Sequence, residues 1–190
     1  MTSISLVFAD IHDDMDLAEA YVKFCVQYAL ENHKDELDYF EKEQFRRAEE
    51  AIKAQEVKRV QEEKKAQKDK KVAPGPQEEK VTLPEFKLID NLRNIMNSEF
   101  RRMTYDEAIK ICIQDDKDGK VNFINKLEWG VDMSSEHERY LVEKVFKQPV
   151  IVYNHPKSFK AFYMRLNDDE KTVASMDVLV PGVPCIIFVL

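Results

Sequence analysis

The chain has 190 residues, of which 44% are hydrophobic and 34% charged, and its formal net charge is −7. This length provides one domain with room for an appendage, and the acidic balance excludes a general phosphate-binding surface, so any contact with nucleic acid would be local. Cys25, Cys112 and Cys185 lie far apart among apolar neighbours, which predicts reduced thiols rather than a zinc site. Because the sequence shows neither a basic targeting segment nor an apolar run of roughly 18–20 residues, we expect a cytoplasmic protein without a membrane segment.

The first predicted elements are a short strand over residues 4–9 and a helix over residues 14–32. Acidic side chains at the start of this helix complement its dipole. A stripe of helical period is expected to face the core, and it consists of Leu17, Tyr21, Phe24 and Tyr28, with Val22 and Cys25 beside it. Asp10, His12, Asp13 and Asp14 could also hold a metal, but consecutive carboxylates at a helix start favour capping.

A charged segment follows and interrupts the globular pattern. Residues 41–85 contain few large apolar side chains, and pairs of opposite charge four residues apart, Glu49–Lys53 and Lys58–Glu62, favour an exposed helix. Residues 72–80 then read as a flexible tether. Five lysines could form an arm that contacts RNA, although the alternating acidic residues favour a solvated face; they are Lys64, Lys65, Lys68, Lys70 and Lys71.

Three further helices are predicted beyond the tether, over residues 86–98, 104–114 and 135–147. Thr104 and Glu107 form a capping box at the start of the second. Ser134 or Ser135 can cap the third, whose core-facing residues are Tyr140, Leu141, Val145 and Phe146. Between them, residues 114–125 resemble a calcium-binding loop, but Gln114 and Asn125 stand at its first and last positions, so an ordinary acidic turn is favoured over calcium.

The last part of the chain has β character. Strands are predicted over residues 149–156, 159–167, 172–181 and 185–190, and the turn NDDEK is expected to join two of them as an antiparallel hairpin. The sum is an α+β fold with a mainly antiparallel sheet flanked by helices. We assign residues 1–40 and 86–190 to this domain, and residues 41–85 to a charged helical insertion.

Four segments carry a resemblance to one known family. They are FADIHDDMDLAEAYVKF, NSEFRRMTYDEAI, EWGVDMSSEHERYLVEKVF and PVIVYNHPKSFKAFYMRLNDDEKTVASMDVLVPG. In this order they resemble asparaginyl-tRNA synthetases of the bacterial and plant type. The resemblance implies part of a class II synthetase catalytic domain, which uses ATP and Mg²⁺ to activate asparagine and then transfers it to tRNA. It also implies a homodimer, or pairing with a longer synthetase chain.

The resemblance also bears on single residues. Asp177 occupies the position of an acidic residue near the ATP-bound metal, whereas Cys185 stands where the family has a metal-binding Glu, and a thiol is a poor ligand for magnesium. Tyr163 and Met164 are expected to alternate on a strand, so that one of them lines the amino-acid pocket. Glu138 and Arg139 match an acid–arginine pair of the family, interpreted as a structural ion pair.

The resemblance predicts what the chain does, and it leaves alternatives. The family's motifs 1 and 3 and most of motif 2 have no counterpart, so we expect a fragment or truncated member of the asparagine–tRNA ligase family that is inactive as this chain alone. The terminal apolar strand is expected to leave an unpaired sheet edge that invites self-association or a partner. A non-catalytic paralogue that acts through protein interaction or RNA contact is the alternative, and a truncated product without a function of its own is a third possibility.

Overall fold

The computed structural model describes residues 10–66 and 87–189, with side chains described for residues 10–57 and 87–182. The described residues divide into two compact units, the first comprising residues 10–28 and 91–189 and the second residues 29–66 and 87–90. Because of the ranges described, several predictions lie outside the described residues or side chains. They are the strand over residues 4–9, the tether over 72–80, the Lys58–Glu62 pair, the five lysines and the Cys185 thiol. The boundaries assigned to the insertion stay a prediction.

The first unit is built on a four-stranded sheet. Its strands are β1 (Arg101–Thr104), β2 (Val150–Pro156), β3 (Thr172–Val180) and β4 (Val183–Val189). They lie in the order β1-β2-β3-β4, with β1 parallel to β2 and the other two pairings antiparallel. The predicted α+β fold with a mainly antiparallel sheet is confirmed.

Helices accompany these strands along the chain. They are α1 (Ile11–Asn32), α2 (Lys34–Ala66), α3 (Leu88–Asn97), α4 (Tyr105–Lys117) and α5 (Ser135–Arg139), and α5 continues as a π-helical turn over Tyr140–Val145. None of these described helices is long and apolar enough to span a lipid bilayer.

Helices cover both faces of the sheet. Successive side chains of a strand point to opposite faces, and apolar side chains on both faces pack against helices. On one face, Val150 and Val152 pack in a cluster with α4 residues such as Ile109. On the other face, Ile151 packs in a second cluster with Met15 of α1 and with Ile95 of α3. The sheet is therefore the central layer of the first unit, and its strands are largely buried.

The face that α1 buries differs from the prediction. Met15, Ala18 and Val22 are buried, whereas Tyr21, Phe24 and Tyr28 are 46%, 64% and 54% exposed. Both sets have helical spacing, and successive residues turn by 100°, so the helix carries two apolar stripes on different faces. Periodicity alone could not tell which stripe meets the sheet: the predicted core position of Val22 is confirmed, but the aromatic stripe was the wrong choice.

The predicted start of α4 is confirmed in detail. The Thr104 side chain accepts a hydrogen bond from the Glu107 backbone N–H, and a Glu107 carboxylate oxygen accepts one from the Thr104 N–H at 2.8 Å. This capping box satisfies two backbone donors that the helix cannot satisfy itself.

Loss of this cap gives a first prediction. Thr104→Ala is expected to lower the free energy of unfolding by about 1 kcal/mol, measured by urea denaturation. Lys110→Ala, on the exposed side of the same helix, is the control and should stay within about 0.5 kcal/mol of the parent. Equal effects from the two substitutions would contradict the capping role.

The helix predicted over residues 135–147 changes its hydrogen-bond pattern part-way. After α5 the chain forms the wider π turn over Tyr140–Val145, which ends before Lys147, where φ is 54°. Leu141 and the adjacent Val142 are both buried. The predicted core position of Leu141 is confirmed, and Tyr140, Val145 and Phe146 pack partly buried against the same cluster.

The strand predicted over residues 159–167 is wrong. Only an isolated bridge joins Leu166 to Val173, supported by a backbone hydrogen bond from Asn167 N–H to Thr172 O at 2.9 Å. A longer strand has no edge to join because β2 occupies one side of β3 and β4 occupies the other from Ser175 onward. The NDDEK turn does reverse the chain, but the preceding residues form turns instead of a strand.

In the second unit, α2 is an exposed charged helix, as predicted. Arg46 bridges Glu43 and Glu50 at 2.7 and 2.6 Å, and Arg47 also contacts Glu43. Hydrogen bonds from Arg46 and Arg47 lower the pKa of Glu43 to about 2. These pairs lie three and four residues apart along the helix and support it in water.

Candidate functional site

The candidate site surrounds Asp177, the acidic residue singled out from the sequence. Asp177 lies on β3 and is 6% exposed. Its Oδ2 atom lies 2.9 Å from Nζ of Lys160 and 3.1 Å from Nε2 of His155. Lys160 donates a hydrogen bond, whereas the His155 contact has an ion-pair distance without hydrogen-bond geometry. The structure thus brings one carboxylate and two basic side chains together in a buried place.

Strand register and a bulge bring His155 to this position. Val152 on β2 lies opposite Asp177 on β3, but the register shifts between Tyr153 and His155, and Asn154 between them has φ of 58°. A bulge of this kind re-aims the following side chain. The ring of His155 is then held at its other nitrogen, since Nδ1 lies 3.0 Å from the Ser175 hydroxyl.

Opposing forces set the pKa of Asp177. Burial raises the pKa because the charged form loses hydration, but His155 and Lys160 favour the charged form and together outweigh burial, so the pKa lies below its ordinary value. The second carboxylate oxygen, Oδ1, is buried and has no hydrogen-bond partner among the described residues. The site therefore holds an ionised carboxylate with one unused acceptor atom.

Glu138 is a further acidic group of this site. Its pKa is raised to about 7 by burial first, and then by the charges of Asp177 and Asp132. Lys160 opposes this shift. Glu138 and Arg139 are adjacent on α5, and adjacent side chains of a helix do not face each other, which argues against the predicted structural ion pair between them.

The raised pKa of Glu138 has a consequence for stability. The folded protein binds this proton more tightly than the unfolded chain, so Glu138 costs stability as the pH rises from about 4.5 through about 7. Glu138→Gln is expected to raise the free energy of unfolding at pH 8 by about 1 kcal/mol, after allowance for the partial exposure of the side chain. The gain should vanish near pH 4.5 in urea titrations, and a pH-independent difference would contradict this explanation.

Tyr163 and Met164 do not lie on a strand, in contrast to the prediction. They belong to the turns that follow Lys160, where Tyr163 is 68% exposed and Met164 is half-buried. The assignment of one of them to an amino-acid pocket stays a prediction. His155 and Lys160 were not singled out from the sequence, because their contacts to Asp177 depend on strand register and turn geometry.

The two other acidic segments considered for metals have local partners. Asp10 caps α1, since its Oδ1 atom accepts hydrogen bonds from the backbone N–H groups of His12 and Asp13 at 2.7 and 3.1 Å. At the C-terminal end of α4, Asp115 pairs with Lys120 of the following loop at 2.6 Å, and Gln114 donates a hydrogen bond to Asp118. Among the described residues, no group of three or more His, Cys, Asp and Glu side chains is arranged to hold a metal ion.

Comparison with known proteins assigns the chain to a family. The pattern of the family described as "tRNA synthetases class II (D, K and N)" matches residues 1–186. The chain belongs to this family. An asparagine–tRNA ligase of Desulfitobacterium hafniense is 40% identical over 96% of the chain, and a cytoplasmic one of Arabidopsis thaliana is 42% identical over 96%.

Solved structures agree with the class II synthetase assignment. The asparaginyl-tRNA synthetase of Pyrococcus horikoshii, complexed with asparaginyl-adenylate, superposes on 93% of the chain with a TM-score of 0.55 and 27% identity. The chain spans 28% of that protein and 30% of the D. hafniense ligase. It is thus similar to one part of a class II synthetase catalytic domain, as the sequence predicted.

Proposed function

We propose that the chain serves as part of an asparagine–tRNA ligase, which joins asparagine to its tRNA at the expense of ATP. The single observation that carries this proposal is the identity of about 40% to curated asparagine–tRNA ligases along 96% of the chain. The substrates are then ATP, asparagine and tRNA, and the cytoplasm is the proposed location, in line with the cytoplasmic relative of A. thaliana.

Asp177 is the proposed contact to ATP and its Mg²⁺. Magnesium in nucleotide sites is held by one or two carboxylates together with phosphate oxygens and water, so a single carboxylate oxygen suffices as the protein's contribution. The buried Oδ1 atom of Asp177 has no hydrogen-bond partner among the described residues, and the pKa of Asp177 lies below its ordinary value, so the carboxyl is ionised at neutral pH. Both properties fit a ligand oxygen for a hard cation.

The chain's own residues have separate tasks in this proposal. The metal supplies charge stabilisation at the phosphates when it is bound. Lys160 fixes the Asp177 carboxylate by donating a hydrogen bond to its Oδ2 atom, His155 adds a contact to the same atom, and Ser175 fixes the His155 ring. A carboxylate held in this way is oriented before the ligand arrives, which reduces reorganisation during the reaction.

The proposed activity requires a partner chain in addition to these residues. Because the chain spans 30% of the D. hafniense ligase, we propose that these residues alone activate asparagine at least about a hundredfold more slowly than a full-length ligase. The partner is a second copy of the chain or a longer synthetase chain. β4 stands at the edge of the described sheet, and an unpaired edge is a natural place for such pairing.

Charging of tRNA by the protein captured from its source tests the proposed function. An antibody against a peptide of α2 isolates the protein together with any longer form or partner. The captured material should attach radiolabelled asparagine to tRNA and should leave aspartate unused. Recovery of the protein without asparagine attachment, or with equal use of aspartate, would contradict the proposal.

A further inference from the structure

The two oxygens of the Asp177 carboxylate have opposite surroundings. Oδ2 lies between Nζ of Lys160 and Nε2 of His155 at 2.9 and 3.1 Å, whereas Oδ1 is buried and has no partner among the described residues. The side chains of Asp177 and Lys160 are only 8% and 10% exposed. Water therefore screens the interaction between their charges weakly.

This arrangement discourages a free divalent cation. Lys160 already neutralises the charge of Asp177, so a bare dication at Oδ1 would be attracted to this pair far less than to an isolated carboxylate, and Glu138 is another acidic group that acts on the site. It would also be repelled by the nearby ammonium group. A cation that arrives with a polyphosphate brings compensating negative charge and most of its own ligands. The ammonium group of Lys160 then attracts the complex as a whole.

We propose that Lys160 is a specificity-determining residue, which makes the Asp177 site accept a divalent cation as its complex with ATP and reject the free ion. The inference rests on the proposed role of Asp177 as the contact to the ATP-bound metal. In this proposal the charge of Lys160 has a role beyond packing. A lysine that served only packing would not affect whether the free cation or its ATP complex binds.

Titration of the 190-residue chain with Mn²⁺ alone, followed by electron paramagnetic resonance, measures this rejection directly. Lys160→Met, which removes the charge and keeps the apolar stem, is expected to bind free Mn²⁺ at least about tenfold more tightly than the parent. The expected gain in Mn²⁺ affinity is estimated by analogy with proton binding. A neighbouring positive charge lowers the affinity of a carboxylate for a proton by about 10- to 1,000-fold. Lys160→Gln should behave in the same way and retains an amide that can donate to Asp177, in case the methionine variant does not fold.

Two further variants assign the gain to this pair of residues. Lys160→Arg keeps the positive charge and should retain the low affinity of the parent for free Mn²⁺. Lys157→Met removes a lysine from an exposed position three residues earlier and should leave that affinity unchanged. Addition of Asp177→Asn to Lys160→Gln should abolish the gain, because the ligand oxygen's charge is lost.

The outcomes separate this inference from the proposed function. Parental affinity for free Mn²⁺ in folded Lys160→Gln would overturn the role of Lys160, whatever Asp177 binds. A gain that persists after Asp177→Asn would overturn it too, because the cation would then bind elsewhere. A gain that depends on Asp177, in a protein whose ATP binding is independent of Mg²⁺, would instead contradict the proposed contact between Asp177 and the ATP-bound metal.

Discussion

Asp177→Asn is expected to lower the free energy of unfolding at pH 7 by about 3 kcal/mol, because removal of one partner leaves a buried charge uncompensated. The lysine that loses its partner is Lys160, whose side chain is 10% exposed. The folded-state pKa of Asp177 is lowered, so its stabilisation is present above the ordinary pKa of 3.8 and is lost as the pH falls through the folded-state value. Urea denaturation at pH 7 and pH 3 measures both effects.

The double variant Asp177→Asn with Lys160→Met is the matched control. Replacement of both members of a buried ion pair is often nearly neutral, so the double variant should recover at least about half of the lost stability. A double variant less stable than either single variant would contradict the explanation. So would a single Asp177→Asn variant within about 0.5 kcal/mol of the parent.

Ile151→Ala is expected to cost about 3 kcal/mol, since truncation of a fully buried isoleucine removes apolar contacts and leaves a cavity. Ile151 is 0% exposed on β2, and it packs with Met15 of α1 and Ile95 of α3. Its loss therefore weakens the layer of helices on one face of the sheet. Urea denaturation and the protection of β2 amides from hydrogen exchange would measure the effect.

Ile124→Ala provides the same chemical change at a surface position. Ile124 is 70% exposed, so its truncation should change the free energy of unfolding by less than about 0.5 kcal/mol. Similar losses at the two positions would show that residue 151 is not in a packed core, and the arrangement of helices on the sheet would be wrong.

Local signals in the sequence predicted much of the fold. The capping box of Thr104 and Glu107 and the charged helix α2 depend on residues a few positions apart, and the structure confirms both. Among the described side chains, the ion pairs of α2 are made by Arg46 and Arg47 and not by the predicted Glu49–Lys53 pair. β1 was missed because RRMT is short and carries two charged residues. A strand was wrongly predicted over residues 159–167 because these residues have a β-rich composition. Composition does not reveal that β2 and β4 are already the neighbours of β3 in the sheet.

The candidate site was predictable only in part. Resemblance to the synthetases indicated Asp177, but its partners Lys160 and His155 lie 17 and 22 residues earlier in the chain. The bulge after Tyr153 and the turns before Lys160 bring them to the carboxylate. No local spacing rule encodes such a convergence, so the electrostatic environment of Asp177 required the folded structure.

Binding of radiolabelled ATP with and without Mg²⁺, measured by equilibrium dialysis, tests the central role of Asp177 most directly. The double variant Asp177→Asn with Lys160→Met is the comparison, because its buried charges are removed together. For the parent chain, Mg²⁺ should raise the affinity for ATP at least about tenfold, in keeping with a charge-assisted contact to the metal. The double variant should show no such rise. An equal rise in both proteins, or none in the parent, would contradict the account.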